Sequence, residues 1–138
     1  RLDNIQAEIA SIKLSKIKKR IKVNQDYANL YNLGLTKNLT TPKIHPYEKP
    51  VFHRYIVHID KNKRAKFQKY LYKNNIETTI NYGIPLHLQK SANYLGYKKN
   101  SLPVSEKLSK TMLSLPLYPE LTLLEIEYII EKVNRFFQ

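Results

Sequence analysis

The chain of 138 residues has no cysteine. That excludes disulfides and thiolate metal sites, and it fits a reducing compartment. Glycine is almost as scarce: only Gly34, Gly83 and Gly96 occur. Neither a phosphate-cradling P-loop nor a GxGxxG dinucleotide fingerprint can be built from them. No apolar run approaches the ~20 residues needed to span a bilayer. No secretory or transit leader is visible, so a cytoplasmic chain without a membrane partner is expected. The first residue is Arg1 rather than methionine, which predicts processing, excision from something longer, or a partial record. His45, His53, His58 and His87 lack metal-ligand spacing; His53 and His58, an odd separation apart on one predicted strand, face opposite sides. No metal site is expected. No serine sits in a nucleophile elbow, and no nucleophile–base pair is legible, so no catalytic residue is assigned.

Acidic residues are few, 11 against 24 Lys and Arg, for a net charge of +13. The excess is lopsided: residues 1–75 hold 17 basic and 5 acidic side chains, residues 76–138 hold 7 and 6. A basic half can steer phosphates or nucleic acid. It can also reflect composition, since Lys, Asn, Ile and Tyr, all encoded by A/T-rich codons, supply 56 of the 138 residues. No nucleic-acid fold motif accompanies the charge, which favours composition. A stand-alone module binding RNA or another polyanion through Lys16–Lys22 and Lys61–Lys73, with Tyr70 and Tyr72 interleaved, is kept as the alternative function.

The length fits one domain with a real core. Residues 2–33 read as one long amphipathic helix, with Ile5, Ile9, Ile12, Ile17 and Ile21 at roughly helical spacing and lysines on the other faces. Gly34 suits a left-handed cap at its end. At ~1.5 Å per residue the helix would reach roughly 45 Å, too far for this chain alone to cover, so it predicts a bridging element that seeks another surface. Three prolines make 35–50 an irregular connection. Alternation predicts a strand at 51–59, with Val51, Tyr55, Val57 and Ile59 on one face and Phe52, Ile56 and His58 on the other. A helix follows at 61–74, burying Phe67, Tyr70 and Leu71, with Asn75 as its cap. A second strand is predicted at 76–82 and a short helix near 87–94. Pro103 opens the next helix, predicted to bury Val104, Leu108 and Met112. A short strand at 113–115 precedes a final helix, opened by the capping box Thr122–Glu125, with Ile126, Ile129, Ile130, Val133 and Phe137 inward. The order predicts an α+β fold with helices against a small, mostly antiparallel sheet.

The run Gly83–Thr122 carries Ile84-Pro-Leu-His-Leu-Gln89, Leu95-Gly-Tyr97, Leu102-Pro-Val-Ser-Glu-Lys-Leu108 and Ser114-Leu-Pro-Leu-Tyr-Pro-Glu-Leu-Thr122. In order and spacing it resembles the C-terminal signature of nucleotide-sugar aminotransferases of the DegT–StrS type. Arg1–Leu14 resembles the segment that opens their small domain. The resemblance implies the small C-terminal domain, residues 1–138, of a fold-type-I pyridoxal-phosphate transaminase that makes amino sugars for polysaccharide, with L-glutamate as amino donor.

It also implies that the cofactor-binding domain and its Schiff-base lysine lie outside this chain. The chain alone is then expected to hold no cofactor and to be inactive. Its implied partners are an N-terminal catalytic domain or a second subunit, in a homodimer, and a nucleotide sugar. Asn81–His87 corresponds to the family's His-Tyr-Pro-x-Pro-Leu-His run near the sugar nucleotide, with Asn81 and Gly83 departing from it; Tyr82 and His87 are the implied substrate-binding residues. Arg1 matches the arginine of an Asn-aromatic-Arg motif whose asparagine helps hold the cofactor phosphate, and an arginine at a helix start suits phosphate. A frayed terminal charge is the plainer reading of it.

Overall fold

The computed structural model describes residues 3–138. Its elements are α1 (Asn4–Ser15), α2 (Ile17–Gly34), β1 (Tyr55–His58), α3 (Arg64–Lys73), two 3₁₀ turns (Leu86–Leu88 and Lys90–Leu95), α4 (Pro103–Thr111), β2 (Met112–Leu115) and α5 (Leu123–Arg135). Arg1 and Leu2 lie outside the described residues.

The expected single helix over 2–33 is divided at Lys16. The Ser15 hydroxyl donates to the Ile12 carbonyl at 2.8 Å. The Lys16 amide bonds the Lys13 carbonyl instead, at 3.2 Å. A side chain that takes a backbone acceptor within the helix loosens the ladder there. None of the residues of α1 is buried, and Ile5, Ile9, Ile12 and Leu14 are exposed. α2 instead enters the core through Ala28 and Tyr31. Its polar groups tie down the loops around it: Gln25 Nε2 donates to the Pro50 carbonyl at 2.9 Å, and the Tyr31 hydroxyl to the Pro116 carbonyl at 2.8 Å.

Gly34 does not adopt the left-handed conformation expected of it; the positive-φ glycine is Gly96. What Gly34 provides is room. A Cβ there would lie 2.9 Å from Ile130 Cγ2 on α5. Asn134 of α5 completes the junction, its Nδ2 donating to the Gly34 carbonyl and its Oδ1 accepting from the Thr36 amide, both at 2.8 Å. A helix end that would otherwise leave polar groups orphaned is thereby satisfied.

β1 and β2 pair antiparallel, Tyr55 opposite Leu115 and Val57 opposite Leu113. These four side chains share a buried face. Single antiparallel bridges extend the pair on both sides, Thr40 to His58 and Thr79 to Ser114. The second strand expected over 76–82 is reduced to that last bridge. Continuing the register would place Glu77 opposite Pro116, which has no N–H to donate. In the other direction Tyr82, at φ 64°, turns the chain away. Asn75, at φ 59°, takes the left-handed position expected after α3. Phe67 of α3 packs on Phe136 and Phe137, with centroids 4.9 and 5.6 Å apart.

The capping box forms: the Glu125 amide donates to Thr122 Oγ1 at 3.2 Å and the Thr122 amide to Glu125 Oε2 at 2.7 Å. Ile126, Ile129 and Val133 are buried as the periodicity predicts, while Ile130 and Phe137 are half-buried. α4 departs from expectation. Its buried residues are Glu106 and Ser109; Val104 and Leu108 are exposed and Met112 is half-buried. The inward face of α4 is polar because it meets the His87 loop rather than the apolar core. Among the described residues, helices plus a small antiparallel sheet give the expected α+β class.

Candidate ligand-facing groove

The chain leaves the Thr79 bridge and turns sharply at Tyr82. The left-handed residue is Tyr82 rather than the neighbouring Gly83, a conformation uncommon outside glycine. Asn81 anchors the turn to the sheet, Nδ2 donating to Ser114 Oγ at 2.7 Å and Thr79 Oγ1 at 3.3 Å. So the first position of the motif, where the family has histidine, is occupied here by an inward-facing amide. After Pro85 the chain closes a 3₁₀ turn, the Leu88 amide donating to the Pro85 carbonyl at 2.9 Å.

Tyr82 and His87 line one groove of about 500 Å³ together with Leu86, Leu95, Leu102 and Met112. They enter it differently. Tyr82 stands 69% exposed on the rim, its phenol without a hydrogen-bond partner among the described residues. His87 is buried, and its Nε2 lies 3.2 Å from Glu106 Oε1. The Tyr97 ring meets the imidazole edge-on with centroids 6.0 Å apart. Glu106 Oε1 also accepts from the Asn100 amide at 2.7 Å. Burial pushes the Glu106 carboxyl up, but hydrogen bonds from His87 and from the Asn100 and Leu102 backbone outweigh it and hold the group below the usual carboxylate range. An ionised carboxylate only accepts, so His87 Nε2 carries the proton and donates it.

The structure thus brings Tyr82 and His87 together, and Arg1 lies outside the described residues. Sequence reasoning missed Glu106. The available signal was a carboxylate three positions after Pro103, in the first turn of the helix.

A model of the DegT/DnrJ/EryC1/StrS aminotransferase family matches residues 1–134, and the chain belongs to that family. It is 36% identical to a pleiotropic regulatory protein of Geobacillus stearothermophilus, covering all of this chain and 38% of that protein. It is equally 36% identical to dTDP-3-amino-3,6-dideoxy-alpha-D-galactopyranose transaminase of Aneurinibacillus thermoaerophilus, covering 99% and 37%. Among solved structures, DesV of S. venezuelae in complex with a ketimine intermediate superposes with a TM-score of 0.93 at 27% identity, over 99% of this chain and 37% of that one. The chain therefore spans a little over a third of the length of the relatives it matches. The family is pyridoxal-phosphate-dependent; a Streptococcus pneumoniae neighbour, Spr1654, is known in a PLP form (TM-score 0.86, 21% identity, 96% of this chain and 35% of that one). The polyanion-binding alternative gains no support from these likenesses.

The cofactor's chemistry tests the residues present. A Schiff-base lysine needs a desolvated, readily deprotonated amine. Every lysine among the described residues is exposed except Lys132. Lys132 Nζ lies 2.9 Å from Glu131 Oε1, and the hydrogen bond to Glu131 holds the ammonium above its usual range. That is the wrong direction for such a nucleophile. These side chains do not fit a Schiff-base site. No described helix is long and apolar enough to cross a membrane, and no described cluster of His, Asp and Glu could hold a metal ion.

Proposed function

We propose that the 138 residues are the small C-terminal domain of a cytoplasmic, homodimeric sugar-nucleotide aminotransferase. The intact enzyme converts a nucleotide-linked keto sugar to an amino sugar for polysaccharide. The domain's task is to close and shape the substrate cleft, while a preceding domain or a second subunit supplies the lysine and holds pyridoxal phosphate. When bound, that cofactor provides the electron sink for amino transfer. The residues here bind and orient. Tyr82, exposed on the turn that Asn81 anchors, is the ligand-contacting side chain, and His87 shapes the wall behind it. Arg1 is carried as a phosphate contact on its match to the family motif alone. The observation carrying this reading is the placement of Tyr82 and His87 in one groove at the end of a rigid turn. Rigid loops of this kind are where scaffolds carry binding residues.

The test is a fusion of this chain behind the complementary N-terminal part of the A. thermoaerophilus transaminase. The cofactor-loaded fusion should transaminate its keto sugar nucleotide, and Tyr82→Ala should raise KM. A folded, loaded fusion whose KM ignores that change refutes the assignment. Schiff-base absorbance and turnover by the 138-residue chain alone would overturn the division of labour.

A further inference from the structure

We propose that Glu106 is a positioning residue, which grips the His87 imidazole and so locks the Tyr82–His87 turn against α4, fixing where the Tyr82 phenol stands. The inference rests on the reading of that groove as the substrate-facing one. His87 and Glu106 are both buried, and burying two ionisable groups is often less favourable than an apolar pair of similar volume. What such a pair adds is direction: an imidazole held at one nitrogen by a carboxylate has one tautomer and one ring orientation.

The geometry supplies that hold from both sides. Asn100, at φ 73°, aims its amide at Glu106 Oε1. The Glu106 amide bonds back to the Leu102 carbonyl at 3.1 Å in the first turn of α4. Two loops, 81–89 and 96–102, are thereby tied to one carboxylate oxygen. The neighbouring elements contribute no competing anion at that oxygen. Lys107 and Lys110 of α4 line the groove behind it with His58, Asp60 and Lys61, and Lys98 and Lys99 precede Asn100. Asp60 is engaged by the Asn62 amide at 2.7 Å.

Amide exchange followed by NMR on the purified chain tests the latch, with α5 as internal reference. Glu106→Ala should speed exchange at Leu88 and Gln89 by at least about tenfold, the scale of a lost hydrogen bond to a charged group, and leave α5 unchanged. Glu106→Gln retains an acceptor and should stay within about twofold of the parent at neutral pH. In the parent, protection of the turn relative to α5 should fall on acidification below the usual carboxylate range, and the Gln variant should lose that dependence. Equal loosening of α5, or unchanged exchange at Leu88 and Gln89 in the Ala variant, overturns the proposal. So does an identical acid profile in parent and Gln variant. In the fusion enzyme, Glu106→Ala should raise KM with kcat nearly kept. A loosened turn with unchanged KM would refute the groove as substrate-facing while leaving the latch intact.

Discussion

Gly34→Ala offers the sharpest test of how α2 and α5 are joined. In a helix, alanine is ordinarily favoured over glycine by about 0.5–1 kcal/mol. Here the added methyl would lie 2.9 Å from Ile130 Cγ2 and 3.0 Å from Cδ1. Cγ2 sits on a β-branched carbon within α5, where one χ1 rotamer dominates, so it cannot swing aside cheaply. Relief must come from separating the helices, which strains the paired hydrogen bonds of Asn134 to Gly34 and Thr36. Overpacking typically costs 1–3 kcal/mol. Gly34 is the last residue of α2, so its propensity gain lies at the low end, and the net expectation is a loss of about 1–2 kcal/mol. That corresponds to roughly 3–4 °C of Tm per kcal/mol for a chain of this size. The chain has no tryptophan, so far-UV circular dichroism in urea and on heating is the practical assay. In an Ile130→Ala background the added methyl meets space, and Gly34→Ala should become neutral or stabilising. A Gly34→Ala variant that gains stability in the parent, with no coupling to Ile130, would refute the close-approach argument and restore a capping role.

Thr122→Ala removes the side-chain half of the capping box, the Thr122 amide bond to Glu125 being kept, and should lower stability by about 1 kcal/mol, with Thr122→Ser recovering most of it; thermal melts decide. Val104→Ser should leave the unfolding free energy from urea titration within about 0.5 kcal/mol of the parent, as for ordinary exposed positions, whereas the sequence periodicity places this residue in the core. Acid should weaken the fold in two stages, followed by circular dichroism against pH. Burial lowers the pKa of His58 from its ordinary 6.5, so the unfolded chain binds the proton more readily. Its contribution is complete above that value and declines as pH falls through it. Glu106, Glu120, Glu125 and Glu131 are held below the ordinary carboxylate value of 4.5. Their contribution is present above that value and is lost as pH falls through the lowered folded values. Stability that rises between neutrality and pH 5 would contradict the His58 stage.

Local rules made much of the fold legible. Thr122 and Glu125 announce a helix start by chemistry confined to four residues, and α5 follows with its stripe in place. β1 reads from its alternation only over Tyr55–His58; Val51, expected on the Tyr55 face, is exposed, and Phe52, at φ 49°, breaks the extended backbone and turns inward instead. The failures arise where a distant partner decides. Gly34 looks like a cap in sequence, but its meaning is the Ile130 side chain far along the chain. The strand over 76–82 has adequate β propensity, yet its ladder needs an N–H that Pro116 lacks. The break at Lys16 has no proline or glycine to advertise it; a single serine hydroxyl competes with the backbone.

α4 shows why the groove was harder to read than the frame. A periodicity argument assumes that the inward face is the apolar one, and so it selects Val104 and Leu108. The structure turns Glu106 and Ser109 inward because the surface they meet carries His87. Tyr82 carries a related inversion: strain falls on a tyrosine beside an available glycine, since Asn81 and the Thr79 bridge fix the backbone before the chain reaches Gly83. In both places a local preference is overridden: at Glu106 by its hydrogen bonds to His87 and Asn100, and at Tyr82 by the anchored backbone that precedes it. Sites that break local rules while satisfying their hydrogen bonds are where function is expected to reside. The turn from Asn81 to His87, with Glu106 behind it, is the part of this chain that meets that description.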